Sequence, residues 1–525
     1  MISYTSFFFF IIFFGSTFLL HIFLPARYKW LALLFGSYAF YFISARGQIF
    51  PFILSSFVVW VSGMVIQYLN DKMKLSLKGV PIEEKKKIKN KYRLLMRLVL
   101  GAGIIFVVSV LLVCKYSAFL GGVFKGLIPE GVVIPDIVQP LGISFFTLEG
   151  ISYIADVYLG KIKAEKNPFR ISLYMSFMLT VVEGPIARYD QLGVQFAEGG
   201  DFDIEQISKG FMRVIWGLFK KVVIADRAAM LVNVVFDNYG AYSGIITAAA
   251  VLFYTLQLYC EFSGVMDIVC GFGSMLGIRL PENFRQPFFA KTINEFWQRW
   301  HITLGTWLRD YVFYSISYSK GFRRLSAKAK QIFEPYYANL LPTLIALFFV
   351  WFTNGFWHGA GWKYILYGLY YYFLMTIGLL LEPLFAAVCK KLGIDRKSRG
   401  FCCFQMVRTF LLVNIGMLIF RANDIYQAAS MLKSVFTGLD LAVLVPGHGS
   451  GLRLSLYDYA ALAVCVAVLI AVEVMIERGV DIMSRIYKLP YPVKVMLYSA
   501  ALLIIIIIGA YGKGYGVIDP IYANF

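Results

Sequence analysis

Charge is scarce in this sequence. Asp, Glu, Lys and Arg make up 15% of its 525 residues, and 59% are hydrophobic. A soluble chain carries roughly 25% charged residues, so an ordinary water-soluble globule is excluded. Acidic residues are scarcer than basic ones, 31 against 50, for a net charge of +19. In a soluble protein that excess would suggest nucleic acid. Here the basic residues cluster between apolar runs, so no nucleic-acid partner is expected. The cysteines, at 114, 260, 270, 389, 402, 403 and 465, show no CxxC spacing. Free thiols are expected, with no disulfides and no metal site. Neither GxxxxGK[ST], HExxH nor GxSxG occurs, so nothing suggests an ATPase, a zinc protease or a hydrolase elbow. No repeat of roughly 20 to 50 residues recurs, which removes solenoids.

What the sequence has instead is long apolar runs. Ser6–Leu24, Leu98–Cys114, Tyr364–Leu381 and Val495–Tyr511 approach the roughly 20 residues that span a bilayer. The expected fold is an all-α polytopic membrane protein of about 11–13 membrane segments, some short or re-entrant. The first run has no basic n-region and no small-residue cleavage site before Pro25, so it reads as a retained span. Basic residues concentrate in Asp71–Arg97, Lys320–Lys330 and Lys390–Arg408. The positive-inside rule makes these cytoplasmic loops and makes Gly438–Gly451, with no Lys or Arg, an outside loop. Three parts are expected: N-terminal membrane helices over 1–135, a core over 136–440 rich in intramembrane polar residues, and C-terminal membrane helices over 441–525.

Four histidines occur. His21, beside a turn, and His448, in "PGHGSG", read as structural or solvated. His301 and His358 lie in aromatic and apolar surroundings, where an ionisable group is costly and is a functional candidate. In "TNGFWHGAGW" Asn354 and His358 are four apart and share a helix face. An Asn amide there would fix the imidazole tautomer. Gly355, Gly359 and Gly361 permit close approach of another helix or of a substrate. In "NEFWQRWHITLGTWLRDYVFYSI" Glu295 and Arg299 form a helical ion pair, and Trp297, His301, Leu304 and Leu308 fall on one helical face. Trp300 and Trp307 fall on another, suited to the bilayer interface, with Arg309 and Asp310 at the end of the turn. From residue types alone, a hydrogen-bonded histidine in a helix interface and an interfacial Trp/Arg helix remain alternatives to catalysis. Glu261, Ser263 and Asp267 form one polar cluster, and Glu149, Ser152 and Asp156 another. Buried carboxylates need partners, and Arg188, Arg285, Arg299 and Arg309 are the candidates. Charge pairing is the expected structural role of Glu261 and Asp267.

These residues resemble the membrane-bound O-acyltransferase family. "FWQRWHITLGTWLRDY" is similar to its Trp-x-x-Trp-His block followed by Trp-Leu-Arg-Asp-Tyr, and "GFWHGAGW" to its Trp-His-Gly motif. "EFSGVMDI" resembles its Asp-Phe-Ser-Gly segment, with Glu261 in place of the usual Asp, and "LPENFRQPF" its Pro-Glu-Asn-Phe segment. The motifs occur in the family's order, and the resemblance spans roughly 135 to 440. Within the family the pattern is similar to bacterial members that modify cell-envelope polymers, by alginate O-acetylation or by teichoic-acid D-alanylation. "SYSKGFRRLSAKAK" replaces the Leu-Gly-Gly-Asn of the alginate type, while the length and C-terminal helices favour the acetylation branch.

The resemblance implies a ring of helices around a central tunnel in the bacterial cytoplasmic membrane. It implies His358 as catalytic base and His301 as a second catalytic group that positions or polarises the acyl carbonyl. Asn354, Trp300, Arg309 and Asp310 would support them. No bound cofactor is expected. The donor would be acetyl-CoA or a carrier-protein thioester, an anion suited to the basic cytoplasmic segments. The partners would be membrane lipids and an extracytoplasmic SGNH-type acyltransferase or the envelope polymer itself. A transporter or channel is the competing class, since intramembrane charge and helices broken by Gly and Pro fit that too; the Trp-His blocks are what transport does not require. The topology has a direct check. A cysteine at Gly451→Cys should react with an impermeant thiol reagent from outside and one at Lys86→Cys should not, and the reverse labelling would overturn the orientation.

Overall fold

The computed structural model describes residues 3–125, 137, 139–200, 203–438, 454–511 and 515. His448 and the expected outside loop from 439 onward lie outside the described residues. Every extended element among the described residues is helical, and the one β-pairing is an isolated bridge between Phe284 and Trp300. Seven helices are long and apolar enough to cross a membrane, or eight if Trp362–Leu380 and Glu382–Lys391, bent by 51°, form one span. This is a multi-pass membrane protein. The first apolar run is short, a π-helical turn Phe9–Gly15 running into Ser16–Phe23. The expected basic loops are largely helical. Lys72 and Lys74 end the Phe50–Ser76 helix, and Lys85–Arg97 open Ile82–Leu111. These helices therefore continue past their apolar stretch, because Lys, Glu and Arg are good helix formers in water.

The chain forms two compact units. One comprises Met1–Phe211 and Val269–Pro281, the other Met212–Ile268 and Glu282–Phe525. In the first, the helices Phe50–Ser76, Ile82–Leu111 and Ile143–Leu159 pack together. Residues 177–188 between two shorter helices are largely irregular yet buried throughout. Irregular backbone at such a place is tolerated only because protein surrounds it. Glu149, Ser152 and Asp156 are all buried on Ile143–Leu159. Asp156 pairs with Lys161 at 3.1 Å. His21 is buried, not solvated.

The second unit carries both candidate histidines. Its long helices cross through glycines. A Cβ on Gly217 would lie 2.5 Å from the Gly264 carbonyl oxygen, and one on Gly368 would lie 2.3 Å from that of Trp351. Small residues let membrane helices approach where the hydrophobic effect cannot drive them together. The C-terminal helices Leu456–Glu477 and Tyr491–Ile508 are tied in by Arg227, 1% exposed. Its guanidinium donates to Asp458 Oδ1 at 3.1 Å and to the Ile508 carbonyl at 2.6 Å. All seven cysteines are free thiols, as expected.

The glycine crossing gives a paired test. Gly368→Ala should lower the melting temperature of the purified protein by several degrees, since overpacking costs about 1–3 kcal/mol. Gly378→Ala on the same helix meets nothing within 4 Å and should leave it unchanged; equal shifts would refute the crossing.

Candidate functional site

The stretch from 294 to 316 is not one helix. Thr292 caps Ile293–Arg299 by accepting from the Glu295 N–H at 3.1 Å. The helix then stops at Trp300, and a new one runs from Ile302 to Leu308. The stop has a cause in the Pro-Glu-Asn-Phe segment. Arg285 N–H donates to the Arg299 carbonyl at 2.9 Å, and Ile302 N–H to the Asn283 carbonyl at 3.0 Å. Backbone groups that would continue the helix pair across to 283–285 instead. His301 sits at the turn in the left-handed region, with φ 48°, a conformation uncommon for a non-glycine residue and costing on the order of 1 kcal/mol. The expected single face of Trp297, His301, Leu304 and Leu308 therefore does not exist. Trp300 and Trp307 are 3% and 4% exposed, so they are core residues rather than interfacial anchors. Trp300 packs on Phe284, Phe296 and Tyr259 with centroids 5.0, 5.4 and 6.0 Å away.

His301 is 2% exposed. Its Nδ1 lies 3.2 Å from Asn283 Oδ1, which also accepts from Thr303 N–H and Thr303 Oγ1, each at 3.0 Å. Burial pushes the imidazole down to about 3. Phe262, from "EFSG", meets the ring edge-on at 4.8 Å.

His358 closes the Pro335–His358 helix and is 3% exposed. Trp357, Tyr367 and Phe420 surround it with centroids at 5.0, 5.7 and 5.3 Å. The chain brings the two histidines together, with ring centroids 6.5 Å apart. Asn354 is buried one turn before His358, but its Oδ1 accepts no hydrogen bond among the described residues. The glycines near His358 serve helix packing. A Cβ on Gly355 would meet the Tyr364 carbonyl at 2.3 Å and one on Gly359 the Tyr364 ring at 2.2 Å.

A cavity of about 580 Å³ opens beside the pair, lined among others by Trp297, His301, Arg309, Tyr314, Trp351 and Asn354. His301 reaches it directly, whereas His358 does not line it. Arg309 and Asp310 are joined at 3.0 Å near its rim, both partly exposed. A second, more apolar cavity of about 360 Å³ contains neither histidine.

Glu261 and Asp267 are paired, but not with the expected arginines, whereas Glu149 does face the charge of Arg188, one of those expected. Glu261 meets Lys221 at 3.2 Å, and Lys221 also holds Asp226 at 2.6 Å. Asp267 meets Lys220 at 2.6 Å and Arg213 at 2.9 Å. Arg213 continues as a two-pronged clamp on Glu282, at 2.7 and 2.6 Å. The two lysines enter from a π-helical turn, Phe219–Ala225, and both are 3% exposed. Arg299 pairs instead with Glu295 and Glu477, each at 2.9 Å. Reading the sequence missed Asn283, Arg213, Lys220 and Lys221. The signal for the lysines was "LFKKVVIA", a dibasic pair inside an apolar run. No group of His, Cys, Asp and Glu able to hold a metal occurs among the described residues.

Residues 162–329 match the model of the membrane-bound O-acyltransferase family. The probable alginate O-acetylase AlgI of Azotobacter vinelandii is 31% identical, over 79% of this chain and 74% of its own. The chain belongs to the membrane-bound O-acyltransferase family. The peptidoglycan O-acetyltransferase of Helicobacter pylori is 30% identical over 65% of this chain and 64% of its own. The teichoic acid D-alanyltransferase of Bacillus subtilis is 28% identical over 56% of this chain and 71% of its own. The protein is thus an O-acyltransferase, and the transporter reading falls.

The Glu261–Lys221 pair can be tested apart from the chemistry. Glu261→Gln should lower the yield of monodisperse protein, at a cost of about 1.5–3 kcal/mol for a hydrogen bond to a charged group. Lys221→Met should lower it further, because it strands both Glu261 and Asp226 without their shared cation. A fully folded but inactive Glu261→Gln would instead place the carboxylate in the reaction.

Proposed function

We propose that this enzyme takes an acyl group, acetyl in the first instance, from a cytoplasmic thioester and delivers it across the bacterial cytoplasmic membrane for O-acylation of an envelope polysaccharide. The observation that carries the reading is the pair of buried histidines beside a cavity of about 580 Å³. Support for acetyl over D-alanyl transfer comes from the greater share of the chain matched by the alginate O-acetylase, 79% against 56%.

His358, matching the Trp-His-Gly motif, is assigned the catalytic base, with His301 as the second catalytic group. In the reaction the acceptor oxygen bonds to the acyl carbon as its O–H proton passes to the imidazole. The C–S bond then breaks, and the departing thiolate takes up the proton. Surrounding aromatic rings exclude water, which would otherwise hydrolyse the thioester. Asn354 lines the cavity one turn from His358, where it supports bound substrate. Arg309, held by Asp310 at the rim, offers a cation to an anionic donor, either acetyl-CoA or the phosphopantetheine arm of a carrier protein. Trp300 props the turn that presents His301. The acceptor side is an extracytoplasmic SGNH-type acyltransferase or the polymer itself.

General base catalysis is worth about 10²–10⁴-fold. His358→Ala should therefore cut acyl transfer at least about 10²-fold, roughly 2.7 kcal/mol of transition-state stabilisation, at matched amounts of folded protein. His301→Ala should be damaging but leave more activity. Mass spectrometry of envelope polymers from a deletion strain carrying each variant reads the transfer, and near wild-type acylation by His358→Ala would overturn this mechanism.

A further inference from the structure

We propose that Asn283 is a positioning residue that fixes His301 in a single tautomer, with hydrogen on Nδ1 and the lone pair on Nε2, so that His301 meets its substrate as a hydrogen-bond acceptor. The tautomer follows from donors and acceptors alone. Only its consequence for turnover rests on the function proposed above.

The Asn283 side-chain atom beside His301 also receives the backbone N–H of Thr303 at 3.0 Å. A backbone N–H only donates, so that atom is the amide oxygen and not the amide nitrogen. The other end of the amide donates to Met266 Sδ at 3.3 Å, which agrees with this orientation. An amide oxygen only accepts, so at 3.2 Å His301 Nδ1 must carry the hydrogen. In a neutral imidazole the lone pair is then on Nε2. Neutrality is what the site favours, because the ring is 2% exposed with Phe262 and Trp357 against it. His358, 6.5 Å away, is the titratable ring beside it.

The amide is itself held from several sides. Asn283 is 1% exposed. Its carbonyl accepts from Ile302, its neighbour Glu282 is clamped by Arg213, and its other neighbour Phe284 bridges to Trp300. The left-handed turn at His301 places the ring and Thr303 on the same amide oxygen. Three hydrogen bonds thus offset the strain of that turn.

The assignment changes what His301 can do. A group that polarises an acyl carbonyl must donate a hydrogen, and neutral Nε2 has none to give. The substrate group that fits is a hydrogen donor, either the acceptor's hydroxyl or the thiol of the spent donor. An acceptor so placed orients that hydrogen and leaves proton removal to His358.

The test is nitrogen NMR of the full-length protein labelled at histidine, with the His301 signals assigned by their loss in His301→Gln. Wild type should show a protonated Nδ1 and a bare Nε2 on His301. Asn283→Leu should shift the tautomer ratio by about tenfold toward Nε2–H, the worth of one hydrogen bond. Asn283→Asp keeps the acceptor and adds a negative charge, so His301 should stay Nδ1–H and titrate at least about one pH unit higher. A merely structural Asn283 would lower stability in both variants without moving tautomer or titration. A hydrogen on Nε2 in the wild type, or an unchanged ratio in Asn283→Leu, overturns the proposal. If Asn283→Leu does not fold, an unmoved titration in Asn283→Asp overturns it. Transfer kinetics with isotopically labelled acetyl-CoA as donor distinguish the two hydrogen donors. Asn283→Leu raises KM for the polymer if the hydroxyl is held, and weakens product inhibition by free coenzyme A if the thiol is. A reversed tautomer with unchanged transfer supports the positioning claim and counts against the catalytic reading of His301.

Discussion

A polar group at membrane depth has no water to fall back on, so its partner must come from the protein. Much of the second unit is arranged to meet that demand. Lys220 and Lys221 sit side by side in an apolar run and would be prohibitive alone. A π-helical turn directs both onto the Gly244–Met275 helix, where Asp267 and Glu261 await them. Arg213 then links that helix to Glu282, the residue before Asn283. Ion pairing thus extends from the spanning helices to the segment that supports His301. Arg227, buried against Asp458 and two backbone carbonyls, plays the same part for the C-terminal helices.

The remaining support is aromatic. Trp300 is enclosed by Tyr259, Phe284, Phe288 and Phe296, while His358 lies among Trp357, Tyr367 and Phe420. Rings packed edge to face are rigid, bulky and dry. They hold two imidazoles in place without adding further hydrogen bonds around them, and the cavity reaches only one of those imidazoles directly.

The parts of this arrangement that were legible in the sequence are those governed by local pattern. Apolar runs gave the long helices, and the Glu295–Arg299 spacing gave an ion pair that the structure makes. The two histidines stood out because their surroundings were apolar. What was not legible depends on chain meeting chain. Nothing within 294–316 signals that its helix breaks at Trp300, because the break is made by backbone pairing with 283–285. The partners of Glu261 and Asp267 were sought among four arginines, whereas two adjacent lysines and Arg213, 40 residues or more away, supplied them. The glycines around His358 suggested room for a substrate, but the room is taken by Tyr364 and its helix.

The left-handed backbone at His301 has an evolutionary consequence. Glycine or asparagine would occupy φ 48° with less strain than histidine does. Selection for heat resistance alone would therefore find relief of backbone strain in replacing this side chain, whatever the cost to the role proposed for it. Engineers who stabilise this enzyme by consensus or by screening for survival should hold position 301 fixed, because it is where the chain's own conformational preference and the role proposed for the side chain pull in opposite directions.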